Sequence, residues 1–342
     1  MADQTRQFVS LGMFIIDEFE FIDPKQKTRR SEEPQIGGGG TYATIGARIW
    51  LPPDEVGMIV DRGHDWPETI QNQLQAYGQD MWLYRDDKSR ETTRARNTYR
   101  EDARGFQYLN PRVRITPRDL SGTKLEDPKT LHFICSPSRA RIILNEVANR
   151  PGWTPVTIYE PIPDRCIPEE LPALLEILPQ ISILSPNAEE ALSLLAMPLD
   201  VTRGVVEEAA LQLLSFGVGA EGRGVVIIRS GHLGAYVANV ERGGQWVEAY
   251  WTPSDSDRVV DVTGAGNAFL GGLGAGLHFT KGDPFEATLY GTISASFVIE
   301  QEGLPHLEHN TSRTETGELW NGSKPQKRLE SLRKRIRNRV ET

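Results

Sequence analysis

Short apolar runs alternate along this chain with segments that are amphipathic or rich in small residues. "FVSLGMFIIDEFEFI" (8–22) predicts a buried strand that continues past Asp17 into apolar–polar alternation. "DPKQKTRRSEEPQ" (23–35) predicts a charged connection, and "GGGGTYATIGARIW" (37–50) a glycine turn entering a helix. "VGMIVDRG" and "MWLYRDD" predict strands on either side of "PETIQNQLQAYG", a helix closed by Gly78. "TTRARNTYREDARGFQYLNP" (92–111) alternates and breaks at "REDARG", as a two-stranded ribbon does. Beyond it the rhythm returns. "LHFICSPSRARIILNEVANR" reads as strand, turn and helix, and "PVTIYEPIPD" as a strand running into a proline-rich loop. "GVVIIRSGHLGAYVAN" reads as two strands joined by "SGHLG". "VVDVTGAGNAFLGGLGAG" (259–276) and "PFEATLYGTISASFVIEQEG" (284–303) close the series with two helices, the first opened by a glycine-rich turn.

Buried strands alternating with helices predict an α/β fold, a doubly wound and mostly parallel sheet covered on both faces. Two pieces stand outside that layer: the strand extension after Asp17 and the ribbon near 92–109. Paired, they would make a small β-sheet lid. The expected organisation is one domain over 1–315, with lid segments near 17–36 and 90–112, then a basic C-terminal helix over 316–342. In that tail Leu329, Leu332, Ile336 and Val340 recur at helical spacing, which predicts docking by an apolar stripe. A basic helix meeting RNA or an acidic partner is the alternative.

Composition narrows the class. A chain of 342 residues with 38% hydrophobic and 25% charged residues can bury one large core or two modest ones. Its formal net charge of −9 argues against a dedicated nucleic-acid binder. Two cysteines, Cys135 and Cys166, are too few for a disulfide framework and show no metal-ligand spacing, so buried or idle thiols in a reducing compartment are expected. The N-terminal run is short with polar and acidic flanks, and no later segment reaches membrane-spanning length. The expectation is a soluble, cytoplasmic protein without a membrane partner.

The chemistry concentrates in "DVTGAGNAFLGG". There the amides of Ala265, Gly266 and Asn267 would open a helix, where converging N–H groups and the dipole favour an anion. A glycine turn before a helix is also a packing device, and the residues alone leave both readings open.

The stretch has companions in a fixed order. "DVTGAGN" resembles the second signature, D-T-x-G-A-G-D, of the pfkB (ribokinase-like) carbohydrate kinases. "GMFIID" is similar to that family's first strand, and "GGGGTYATIGARI" resembles its first signature. "SPNAEE" carries the N-x-x-E pattern, and "IIRSGHLGAY" resembles the T-x-G-x-x-G nucleotide loop. The resemblance spans roughly residues 8–305, and "ASFVIEQEGLP", "EPIPDRC" and "SPNAEEA" make it closest to the fungal maintenance-of-killer branch. One protein of that branch is associated with propagation of a double-stranded RNA virus in yeast. The resemblance implies a ribokinase-like fold and ATP-dependent phosphoryl transfer to a hydroxyl of a sugar or nucleoside, with Mg²⁺ on the phosphates. It places Asp17, Gly38, Gly39 and Tyr42 at the acceptor, and Asn187, Glu190, Ser230, Gly231 and Gly234 at the nucleotide. It also places Glu190 indirectly at Mg²⁺, Gly264, Ala265 and Gly266 at the transferred group, and Asp261, assisted by Thr263, at a monovalent cation such as K⁺. Lids of the family sometimes pair between subunits, which makes a homodimer an expectation.

Three departures follow from that resemblance. The family's base, the last Asp of the second signature, is Asn267 here. An amide orients a hydroxyl but has no basic lone pair at neutral pH, and losing a general base costs about 10²–10⁴-fold in rate. Tyr42 stands where many sugar kinases carry an Asn, and can stack on a ring or fill the pocket. Arg229, just before the nucleotide loop, reads as a surface salt-bridge former, with contact to a phosphate as the alternative. Elsewhere Asp17 also reads as a turn residue, Arg96, Asn97 and Tyr99 read either as lid contacts or as a solvated strand, and His306 and His309 as surface residues. Two functions compete on this basis: a slow kinase, and a pseudokinase that binds nucleotide and acts through protein or ribonucleoprotein contacts. A Rossmann dehydrogenase fails, because the first strand leads into a charged linker rather than a G-x-G-x-x-G turn.

Overall fold

The structure, a computed structural model, describes residues 5–23, 28–100, 103–311 and 316–340. The chain starts with β1 (Phe8–Ser10), β2 (Ile15–Asp23), β3 (Thr28–Gly37) and α1 (Gly39–Arg48). It continues through β4 (Val56–Arg62), α2 (Glu68–Ala76), β5 (Trp82–Asp86), β6 (Arg94–Arg100) and β7 (Ala103–Tyr108). Next come β8 (Thr130–Cys135), α3 (Pro137–Ala148), β9 (Val156–Pro161), α4 (Leu171–Leu175), β10 (Ile183–Leu184), α5 (Ala188–Leu194) and α6 (Arg203–Ser215). The last part holds β11 (Val225–Arg229), β12 (Ala235–Asn239), β13 (Gly243–Val247), α7 (Ala265–Phe279), α8 (Pro284–Val298), β14 (Leu307–Thr311), β15 (Thr316–Trp320) and α9 (Pro325–Val340).

Nine strands form the central sheet in the order β13-β12-β11-β10-β9-β8-β1-β4-β5. Pairing is parallel from β5 to β11 and antiparallel only for β12 and β13 at one edge. Successive side chains of a strand face opposite ways, and two buried clusters result. Phe8 and Ile227 join one, with residues of α1, α7 and α8; Val9, Val226 and Ile228 join the other, with residues of α3, α5 and α6.

The lid is a mixed four-stranded sheet in the order β3-β2-β6-β7. β2 pairs with β3 antiparallel and with β6 parallel, with an irregularity between Asp17 and Phe19. The charged stretch expected to be a connection is therefore largely strand β3; charge does not prevent pairing in a sheet that solvent can reach. The C-terminal helix starts at Pro325, not at 316, because Thr316–Trp320 pairs with Leu307–Thr311 as a hairpin. Buried Arg48 ties that hairpin down through an ion pair with Glu318. α9 docks by Leu329 and Leu332, both buried, and Arg328 bonds Ser296 and Glu300 on and beside α8. Among the described residues no helix is long and apolar enough to cross a membrane.

The glycines of α7 divide by purpose. A Cβ on Gly271 would strike the backbone of Ala43 in α1, and one on Gly272 would strike Ser294 in α8. These glycines let three helices approach closely, so the packing reading of the glycine-rich stretch holds inside the helix. Its first turn is different.

Candidate active site

Gly264 caps α7 at φ 77, in the left-handed region that favours glycine. Ala268 N–H donates to the Gly264 carbonyl at 2.9 Å, so the amides of Gly266 and Asn267 precede that bond and point out of the helix end. Asp261 shapes the approach, its Oδ1 accepting from Thr263 N–H at 3.0 Å. Two side chains press on the turn. The ring of Tyr42, from α1, lies where a Cβ on Gly264 would go, and the Arg229 guanidinium lies where a Cβ on Gly266 would go. Tyr42 is buried, and burial, reinforced by Asp17 and Asp261, pushes its phenol well above the usual range.

A buried charge network stands behind the turn. Asn267 Nδ2 donates to Glu160 Oε2 at 2.8 Å. The other carboxylate oxygen of Glu160 meets Arg229 Nη1 at 2.8 Å, and His132 Nε2 lies 3.3 Å from Oε2. On its far side His132 Nδ1 is 3.0 Å from Ser10 Oγ, which accepts from Gly12 N–H at 3.1 Å. An ionised Glu160 can only accept, so His132 Nε2–H donates to it, and in the neutral ring Nδ1 is then the acceptor for the Ser10 hydroxyl. Burial alone would raise the Glu160 carboxyl; Arg229, His132 and Asn267 together outweigh it and hold the group below its ordinary value. Glu160 is thus an anion with its oxygens engaged, and a poor base.

Arg229 also reaches Glu190 Oε2 at 3.6 Å and donates to the Ser185 carbonyl at 3.0 Å. It is a deeply placed cation, not the surface salt-bridge former the sequence suggests: β11 ends against the turn, and Glu160, Glu190 and the Ser185 carbonyl hold its last side chain there. Glu190 behaves oppositely to Glu160. Burial, with the Glu160 charge adding and Arg229 opposing, pushes it up to about 7. Asn187 and Glu190 form the capping box of α5: Glu190 N–H donates to Asn187 Oδ1 at 2.8 Å, and Asn187 N–H to Glu190 Oε2 at 2.7 Å.

All this opens on one cavity of about 1220 Å³. Its walls bring together Asp17, Gly38, Gly39, Tyr42, Asn187, Glu190, Ser230, Gly231, Gly234 and the turn from Gly264 to Asn267. Asp17 lies on lid strand β2 against Gly37, which has no room for a Cβ. Gly39 comes up to the base position, a Cβ there falling 2.9 Å from Asn267 Nδ2. At the other end Ser230 N–H donates to the Gly234 carbonyl at 2.7 Å, closing a loop with Gly231 and Gly234 at positive φ. Asp261 is not among the lining residues and sits behind the turn, its N–H directed at the Ile299 carbonyl at 3.3 Å.

Of the lid candidates, Asn97 is buried and lines the cavity, whereas Arg96 pairs with Glu18 and does not line it; the side chain of Tyr99 lies outside the described residues. His306 and His309 are exposed. Cys135 is part of the cavity wall, and burial pushes it up to about 12. The sequence reading missed Glu160 and His132. The signal for both was a polar residue inside a run predicted to be fully buried, "VTIYEP" and "LHFIC", where a charge demands a partner.

Residues 157–309 match the family described as pfkB family carbohydrate kinase. The chain is 35% identical to protein C16C9.01c of Schizosaccharomyces pombe over 340 residues, covering 94% of this chain and 91% of that protein. It is 32% identical to Protein MAK32 of Saccharomyces cerevisiae over 334 residues, covering 92% and 88%. Among solved structures it is similar to Arabidopsis thaliana ribokinase complexed with ribose and ATP, with a TM-score of 0.64, 16% identity, and 88% and 95% of the two chains covered.

Proposed function

Because the chain belongs to the pfkB carbohydrate kinase family, we propose that it binds ATP with Mg²⁺ and transfers the γ-phosphoryl group slowly to a hydroxyl of a small polyhydroxylated acceptor. One observation carries this: the open helix end at Gly264–Asn267, with Arg229 against Gly266, faces a cavity that also holds Asp17 and the Ser230–Gly234 loop. Amides and a guanidinium converging on one point fit a phosphoryl group, so the donor set suits the nucleotide. Bound Mg²⁺ would neutralise charge on the phosphates. Glu190, which meets no cluster of three metal-ligating side chains among the described residues, would face that ion through water. Asp261 Oδ2 is the group it leaves for a monovalent cation, since Oδ1 caps Thr263.

The chain's own residues do the positioning. Asp17, Gly38 and Gly39 hold the acceptor, and the Ser230–Gly234 loop holds the nucleotide. Arg229 and the turn amides stabilise charge on the transferred group. Glu160 claims the Asn267 NH₂ group, so Oδ1 is what remains to accept from the attacking hydroxyl. The acceptor oxygen–phosphorus bond forms as the bond to the β,γ-bridging oxygen breaks, and ADP leaves with that electron pair. The proton passes to water or to a phosphoryl oxygen, because Asn267 cannot take it.

The same contact supports a second reading. An amide locked on a buried, weakly basic carboxylate is also what a nucleotide-binding pseudokinase would keep. Calorimetric titration with ATP and Mg²⁺, followed by an ADP-release assay over pentoses, hexoses and nucleosides, separates the two. Binding with slow, acceptor-dependent ADP release supports the kinase, binding without it supports the pseudokinase, and no binding at millimolar nucleotide sinks both.

A further inference from the structure

One end of the cavity holds charge that the transfer position does not use. Arg112, Arg114 and Arg139 all line it. Arg139 stands in the first turn of α3, just past the end of β8, and the other two lie on the segment leaving β7. In the sheet β8 is separated by β9 and β10 from β11, whose end begins the nucleotide loop. β9 carries Glu160, and Glu160 holds Asn267. The three arginines therefore lie across the transfer position from the nucleotide loop, at the acceptor end.

They are held there. Arg139 Nη2 donates to the carbonyls of Arg114 and Ile115 at 3.2 and 3.4 Å, tying the two segments together. The Arg112 guanidinium stacks 4.7 Å from the ring centroid of Tyr108, another lining residue. Arginines elsewhere in the fold, such as Arg48, Arg85 and Arg150, pair with carboxylates. Among the described residues none of these three takes part in an ion pair. Of the carboxylates that line the cavity, Glu160 and Glu190 pair with Arg229, which leaves Asp17 and Asp164 to set against the three arginines. In a chain of net charge −9 such a local excess of positive charge is not a consequence of composition.

Guanidinium forks match phosphate and carboxylate groups, and like charges gathered on one wall are relieved by an anion between them. We propose that the acceptor carries an anionic group of its own, a phosphate or a carboxylate, seated on Arg112, Arg114 and Arg139 while one of its hydroxyls is presented to Asn267. The acceptor class is then a sugar phosphate or a sugar acid. This rests on the kinase reading for the identity of the cavity, but its test does not depend on turnover.

The test is calorimetric titration of ADP-loaded protein with fructose 6-phosphate, gluconate and neutral fructose. Saturating ADP keeps the phosphate probe off the nucleotide's own site. The expected result is that at least one anionic sugar binds about tenfold to a hundredfold more tightly than fructose, and which one identifies the anion. Arg112→Gln with Arg114→Gln should abolish that preference and leave ADP affinity and thermal unfolding unchanged. Both side chains are exposed at the mouth, so the variant should fold, and Arg114→Lys, which keeps the charge, should retain part of the preference. Absence of an anion preference, or a preference that survives the double substitution, overturns the proposal. Failure of ADP to bind in a separate titration refutes the kinase reading instead; an anion preference abolished by the arginine substitutions would still uphold this subsite.

Discussion

Asn267→Asp restores the side chain that the family's second signature carries, and on sequence grounds it should raise phosphoryl transfer. The structure reverses the sign for the single substitution. Asn267 Nδ2 now donates to Glu160 Oε2 at 2.8 Å; an aspartate there would set one carboxylate oxygen against another. Two unit charges at that separation repel by about 6 kcal/mol at an effective dielectric of about 20. Taking up one proton at neutral pH by the new aspartyl carboxyl, with an ordinary value near 3.9, costs about 4 kcal/mol. Proton uptake is the cheaper outcome, so the variant should hold a shared proton and lose up to about 4 kcal/mol of stability at pH 7. The shared carboxyl is raised above its unfolded value, so the penalty is present above that unfolded value and fades as pH falls toward it. Asn267→Asp combined with Glu160→Gln returns the site to one carboxylate and one amide with their places exchanged. Urea unfolding at about pH 5 and pH 7.5 should show a large pH-dependent loss in the single variant and recovery in the double. The ADP-release assay should show no gain for the single variant and about 10²-fold or more for the double. A single variant as stable as the wild type at pH 7.5, or faster than the double, would refute the reasoning.

Gly266→Asp should weaken ATP binding far more than Asn267→Ala, since its Cβ meets Arg229 and its charge meets the incoming phosphate; equal calorimetric affinities would show that the turn is not the anion site. Glu190, raised to about 7, makes the folded state bind the extra proton, so its contribution lowers stability as pH climbs from the ordinary carboxyl range to about 7 and is flat above. Glu190→Gln should remove that slope from urea midpoints measured between about pH 5 and 8, and an unchanged slope would assign it elsewhere. Tyr42→Ala should cost about 3–5 kcal/mol and loosen nucleotide binding, because the ring supports Gly264, while Tyr42→Phe should keep both within about 1 kcal/mol. Leu332→Ala, at a fully buried position of α9, should cost about 2–5 kcal/mol in urea unfolding, and a near-zero effect would mean that the helix is not docked.

Some of this molecule was decided by local sequence. Strands such as Val225–Arg229 and Thr130–Cys135 bury both faces and read as mainly apolar runs, because a parallel sheet covered by helices leaves no polar side. The turn at Gly264 was legible for a related reason: a left-handed helix cap asks for glycine, whatever surrounds it. Strand β3 was not legible, because "TRRSEEPQIG" has the composition of a linker and becomes a strand only when β2 offers an edge to pair with. Nor was the meaning of Asn267. Read along the chain it is a missing base. In the fold it is the partner of Glu160, 107 residues away, and Glu160 is in turn held by His132 and Arg229. The same assembly made Arg229 a largely buried cation and gathered Arg112, Arg114 and Arg139 at one end of a cavity. Patterning acts over a few residues, through burial and backbone conformation, and can be read locally. A charge network depends on which strand ends lie side by side, and the sheet order settles that only when the whole chain has packed.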